Sequence, residues 1–231
     1  YKGVIYMSDN INNTRSDKNS QSFLDYVVNS KSDLKNEILQ AKEPDYIANL
    51  PIIIAEVEGM SVLNMVMADS GAGKSLFSRS IVEYILKNYE DVIVIWIDLE
   101  YNASVSKERK IDYLLDFDNF YLITHKHISD LREKQKRFKT IAGICNEIIR
   151  EFRERFNDKK IFVIIDSLED YIEDTSNDSE VKRHLFNMLS FKGVSYLVNH
   201  HISKDIMKSN SLRFRGSMVI KAKLTSLLYI L

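Results

Sequence analysis

The chain has 231 residues, 45% hydrophobic and 28% charged, with 32 Lys and Arg against 33 Asp and Glu. That length suits one α/β domain with a large core, and the charge balance excludes both a disordered chain and a uniformly basic nucleic-acid binder. The lone cysteine, Cys145, excludes an intrachain disulfide, and no apolar run reaches the roughly 18–20 residues of a membrane span. No secretory signal opens the chain, so a cytoplasmic protein with no membrane partner is expected.

Residues 8–22 are rich in Ser, Asn and Asp and predict a mobile tail. The pattern FLDYVV…DLKNEIL over 23–41 has helical spacing and predicts an outlying helix or two. Pro44 and Pro51 bracket a connector, which divides the chain into a tail with a helical extension (1–45) and a core domain (46–231). The core alternates apolar strands with amphipathic helices. PIIIAEV, Glu58-Gly59 and SVLNMVMA predict a hairpin whose second strand feeds a glycine loop, and a helix follows from Ser75 to about Asn88. VIVIWIDLE reads as a buried parallel strand, followed by a helix near 104–116, the strand FYLIT and a helix near 139–156 that holds Cys145 in its apolar run. IFVIID is a second buried strand, 180–191 a helix, and VSYLVNHH a third strand. A polar loop, 202–214, precedes RGSMVIKAKLTSLLYIL, whose apolar end predicts a strand and further residues beyond it. This alternation predicts a mostly parallel twisted sheet with helices on both faces.

The loop MADSGAGKS carries the clearest chemistry. Backbone N–H groups at a strand–loop–helix turn, with the helix N-terminus behind them, bind di- and triphosphates. Gly71 and Gly73 permit the required backbone, Lys74 reaches the β- and γ-phosphates, and the Ser75 hydroxyl suits Mg²⁺. The nucleotide-binding set is therefore Ser70, Gly71, Ala72, Gly73, Lys74, Ser75 and Leu76, with ATP and Mg²⁺ as ligands. Ala68, six residues before the lysine, replaces the usual glycine at a place where a small residue suffices.

Two strand ends supply acids. Asp166 closes IFVIID and is placed to hold the Mg²⁺ shell. Glu100 closes VIVIWIDLE, where in one branch of phosphate-loop ATPases a glutamate polarises the attacking water. Asp98 shares that face if the strand continues, and reads as structural or as a weaker candidate for the same role. NHHISK ends the third strand. Because neighbouring residues on a strand face opposite ways, only one of its histidines can meet the nucleotide and sense the γ-phosphate. No cysteine or third histidine stands at zinc-ligand spacing, and Asn199 and His200 read equally well as core residues.

The ordered set SGAGKS, WIDLE, VIIDS, NHHISK and RGS resembles the RecA-like ATPases over about residues 50–231. It is most similar to the RepA-type plasmid replicative hexameric helicases and more distantly to bacterial replicative helicases. The resemblance implies a RecA-like ATPase domain over 46–231, hydrolysis between subunits of a homo-oligomeric ring or filament such as a hexamer, and action on single-stranded DNA. It implies Lys74, Glu100 and His201 as catalytic residues and Ser75 and Asp166 as metal ligands. It also makes 202–214 a loop facing a ring channel, and leaves the N-terminal extension for a replication partner. The family's arginine finger falls on Thr225 here. The missing cation is then absent, supplied by Arg213, Arg215, Lys221 or Lys223, or carried beyond the C-terminus, and Lys204, Arg213 and Arg215 are the expected DNA contacts. HKHISDLREKQKRFK (125–139) reads as a solvated basic helix face or a phosphate contact, whereas the acidic LEDYIEDTSNDSE (168–180) would repel DNA in a channel. Two alternatives stand beside this reading: a regulatory ATPase of the same fold that controls assembly without translocation, and a small-molecule kinase.

Overall fold

A computed structural model describes residues 22–40, 63–134, 140–172, 177–202 and 226–230. Six strands form one parallel sheet in the order β3-β2-β4-β5-β1-β6. They are β1 (Leu63–Ala68), β2 (Val92–Asp98), β3 (Phe120–Thr124), β4 (Lys160–Asp166), β5 (Val194–His201) and β6 (Ser226–Tyr229). β2 is buried at every position, and β1 and β4 nearly so, because helices cover both faces.

Alternate strand residues feed two separate cores. Ile93, Ile95, Val163, Ile165, Tyr196 and Val198 pack against α6 (Ile141–Arg155), α7 (Leu168–Tyr171) and α8 (Asp178–Leu189). Val94, Trp96, Ile164 and Leu197 pack on the other face against α2 (Lys74–Asn88) and α4 (Ile111–Leu114). Cys145 is buried in the first of these cores, as its apolar run predicts.

Several expectations need revision. The helix predicted near 104–116 is two pieces, α3 (Ala103–Glu108) and α4, broken where Lys110 takes a positive φ of 56°. The N-terminal helix, α1 (Phe23–Gln40), is a single helix and is not outlying. Its stripe Phe23, Val27, Leu34 and Ile38 is buried, the first two in one core and the last two in the other, so α1 lies across the β3 edge of the sheet. The Glu151 carboxylate of α6 accepts from Ser22 Oγ at 2.8 Å and Leu24 N at 3.0 Å, satisfying the helix start. Lys31 Nζ donates to Phe117 O at 2.7 Å, the Tyr26 hydroxyl donates to Asp130, and Lys35 pairs with Asp116. The basic run begins as α5 (His125–Lys134), but His127, Ile128 and Leu131 on it are buried. Thr124 N donates to His127 Nδ1 at 3.1 Å, so this histidine is structural, and burial pushes it down to about 4.

The first strand of the expected hairpin, the connector around Pro44 and Pro51, the tail 8–21 and the loop with Lys204, Arg213, Arg215, Lys221, Lys223 and Thr225 lie outside the described residues. No helix among the described residues is long and apolar enough to cross a membrane.

Candidate active site

Parallel strands end together, and in open α/β sheets that edge is where ligands bind. β1 delivers the chain into residues 69–73, where Gly71 has φ 78° and Gly73 φ 92°. Side chains strain in that region, which is why the loop needs these two glycines. Ala68 is ordinary buried strand in register with His201, so nothing there requires glycine. Gly73 caps α2 without a side-chain bond, leaving the first-turn N–H groups open to an anion. A cavity of about 470 Å³ opens above the loop, lined by Ser70, Gly71, Ala72, Gly73, Lys74, Ser75 and Leu76 together with Glu100, Asp166 and His201. Val105, Glu108 and Arg109 complete its wall.

The strand register sets three polar residues in a row at this edge: Asp98 beside Asp166, and Asp166 beside Asn199. Asn199 Oδ1 accepts from Ser78 Oγ of α2 at 2.9 Å, which ties β5 to the phosphate-loop helix. Burial raises the Asp166 carboxyl, opposed by hydrogen bonds from Ser75 and Asn199. Its Oδ2 is buried without a hydrogen-bond partner among the described residues. An orphaned carboxylate oxygen facing the Ser75 hydroxyl is the donor set a hard divalent cation takes, so Ser75 and Asp166 fit Mg²⁺. Asp98 differs. Burial, then the charge of Asp166, pushes it up to about 8, with Arg109 opposing, and it does not line the cavity. β2 stops at Asp98, and Glu100 sits in the following turn, so the two acids do not share a strand face.

His201 joins the phosphate loop to Glu100. Its Nδ1 lies 3.1 Å from Lys74 Nζ, and its Nε2 lies 3.2 Å from Glu100 Oε1. An imidazole protonated at Nε2 satisfies both, accepting from the ammonium and donating to the carboxylate. The hydrogen bond to Glu100 raises the His201 pKa, and the same bond holds the Glu100 carboxyl below its usual value against the effect of burial. Lys74 Nζ also donates to Ala68 O at 3.1 Å and Asp69 O at 3.0 Å, and burial lowers its pKa. Of the paired histidines, His201 faces the cavity, while His200 is fully buried with Nδ1 2.8 Å from Glu169 Oε1.

Sequence reasoning missed Arg109. Val105, Glu108 and Arg109 stand at i, i+3 and i+4 around α3, a spacing that puts them on one face over the cavity. Asn102 fixes that helix by accepting from Ser104 N at 3.0 Å and Val105 N at 3.2 Å. The acidic run also differs from expectation. Glu169 turns inward to His200, and Asp170 accepts from Ser167 Oγ at 2.6 Å, so neither acts as a bare repelling charge.

No family model matches the chain, and no curated protein matches it. Among solved structures, it is similar to the ATPase domain of a DnaB-like helicase, at a TM-score of 0.54 and 11% identity over 74% of this chain and 69% of that one. At that identity the likeness concerns the fold. The chain has the RecA-like α/β fold, a parallel six-stranded sheet with helices on both faces and its glycine loop at the C-terminal edge.

Proposed function

We propose that this chain is a Mg²⁺-dependent ATPase of the RecA-like helicase and replication type, one that hydrolyses ATP at subunit interfaces of a ring or filament and acts on single-stranded DNA. One observation carries the reading: Lys74, Ser75, Glu100, Asp166 and His201, the first and last of them 127 positions apart, line a single cavity above a glycine loop. The similar solved structure is titled an ATPase domain, which adds support.

The loop N–H groups and Lys74 bind the β- and γ-phosphates and fix the γ-phosphorus for in-line attack. Glu100 orients a water and accepts its proton as the O–P bond forms and the bond from phosphorus to the β,γ-bridging oxygen breaks, giving ADP and phosphate. His201, bonded to both Lys74 and Glu100, contacts the two sides of the reacting phosphate and senses its loss. Mg²⁺, held by Ser75 and Asp166, supplies charge neutralisation on the phosphate oxygens when bound. Arg109 adds positive charge from the same chain.

The experiment is ATP turnover against protein concentration, with and without single-stranded DNA and with EDTA, for wild type and Glu100→Gln. A metal-dependent rate rising faster than linearly with protein and stimulated by DNA is expected. A wild-type rate equal to that of Glu100→Gln would overturn the catalytic assignment. The cavity-lining Arg109 favours a second reading, a regulatory ATPase whose own chain supplies the cation. A rate per subunit independent of protein concentration and of DNA selects it.

A further inference from the structure

The tip of β5 is held by a residue to which nothing above assigns a role. In a parallel strand, successive N–H groups point to opposite neighbours. Ile202 N bonds Ala68 O of β1 at 3.1 Å, so His201 N points the other way, towards β4. β4 ends at Asp166, paired with Asn199, so no strand carbonyl lies opposite His201. Glu169, in the first turn of α7, fills that position: its Oε1 accepts from His201 N at 3.0 Å. The same oxygen lies 2.8 Å from Nδ1 of His200, on the opposite face of the strand. Glu169 thus grips the backbone between the two histidines from outside the cavity, which it does not line.

We propose that Glu169 is a positioning residue: by replacing the missing strand carbonyl and bonding His200, it fixes the β5 tip so that the His201 ring spans Lys74 and Glu100. The proposal rests on the ATPase reading for its kinetic consequence but not for its geometry. The His201 ring is only one rotatable Cα–Cβ bond from that backbone. A shift of the tip by about 1 Å would break the 3.1 and 3.2 Å contacts, and misplacement on that scale costs on the order of a hundredfold in rate. Glu169 follows the metal-site strand by three residues, so α7 ties the Asp166 end of β4 to the sensing end of β5. Burial pushes the Glu169 carboxyl up, and hydrogen bonds from His200 and the backbone bring it below its usual value, so it is ionised at neutral pH.

The test uses Glu169→Ala and the isosteric Glu169→Gln, which keeps an oxygen acceptor and loses the charge. Steady-state ATP hydrolysis, fluorescent-nucleotide affinity and crystal structures are measured for each. Glu169→Ala is expected to lower kcat roughly ten- to a hundredfold with ATP KM within about threefold, and Glu169→Gln to keep at least about a third of wild-type kcat. The structure of Glu169→Ala should place His201 Nε2 beyond hydrogen-bond reach of Glu100. A Glu169→Ala kcat within about twofold of wild type, or an equal loss in Glu169→Gln, would overturn the proposal. If Glu169→Ala does not fold, Glu169→Asp replaces it, since withdrawing the oxygen by one methylene should give the same losses. If wild type hydrolyses no ATP, the ATPase reading falls and the crystal structures decide alone: a His201 ring still bonded to Glu100 in Glu169→Ala sinks the positioning role.

Discussion

The C-terminal edge of the sheet and its β3 side are both closed by residues far apart in sequence, but by different means. At the C-terminal edge, polar groups sit in apolar surroundings and hold one another by hydrogen bonds: Lys74 to His201, His201 to Glu100, Ser78 to Asn199. At the β3 side, α1 buries an apolar stripe, with polar contacts at its start and along its flank. The difference teaches where sensitivity lies. Polar groups spread around a cavity bind and move protons without adding much stability, whereas an apolar stripe holds the sheet together and touches no substrate.

The sharpest break between the two regions should come from Glu100→Gln, which removes the proton acceptor and leaves the core untouched. Its kcat should fall about 10²–10⁴-fold with nucleotide affinity nearly unchanged, read by phosphate release and fluorescent-nucleotide titration. Phe23→Ala makes the converse cut: deleting this fully buried ring should cost about 3–5 kcal/mol of stability in denaturant melts, while the folded fraction keeps its kcat. Arg109→Ala should lower kcat/KM about 10²–10³-fold, because it withdraws a donor from the phosphate cavity, with the melt little changed. Glu151→Ala tests the polar fastening of the α1 edge. Loss of the acceptor for Ser22 Oγ and Leu24 N should cost about 1–3 kcal/mol, again without a kinetic effect.

The smallest effect is electrostatic. The folded His201 pKa is raised, so its stabilisation is complete below the ordinary imidazole value of 6.5 and is lost as pH rises through the raised value. The folded Glu100 pKa is lowered, so its share is present above the ordinary carboxylate value of 4.5 and is lost as pH falls through the lowered value. The pair therefore contributes most between those two values. Both side chains are partly exposed, so the gain is below about 1 kcal/mol, read as a melting-temperature difference between wild type and Glu100→Gln that narrows at alkaline pH.

What the sequence made legible was local. The glycine loop, the strand-end acids and the choice of one histidine all follow from short-range rules, the spacing of glycines or the alternation of a strand, and their ends meet because parallel strands stop together. Arg109 and Glu169 were not legible because their roles depend on the strand order. Only when β2 lies beside β4, and β4 beside β5, does α3 roof the cavity and α7 reach the β5 tip. The packing of α1 was hidden for the same reason. Its stripe was readable, but nothing near it in sequence tells that β3 is an edge strand in need of cover.

α1 also has a consequence for how the chain acquires its shape. It is the first described element to emerge in synthesis, yet Leu24 bonds a carboxylate 127 positions later, on α6. A helix of 18 residues has only marginal stability alone in water. Until β3 and α6 have been made, its apolar stripe has nothing to pack on, and the growing sheet keeps an open edge. The docking of α1 is thus a closing step of assembly, and it converts a pairing-prone strand edge into a sealed one.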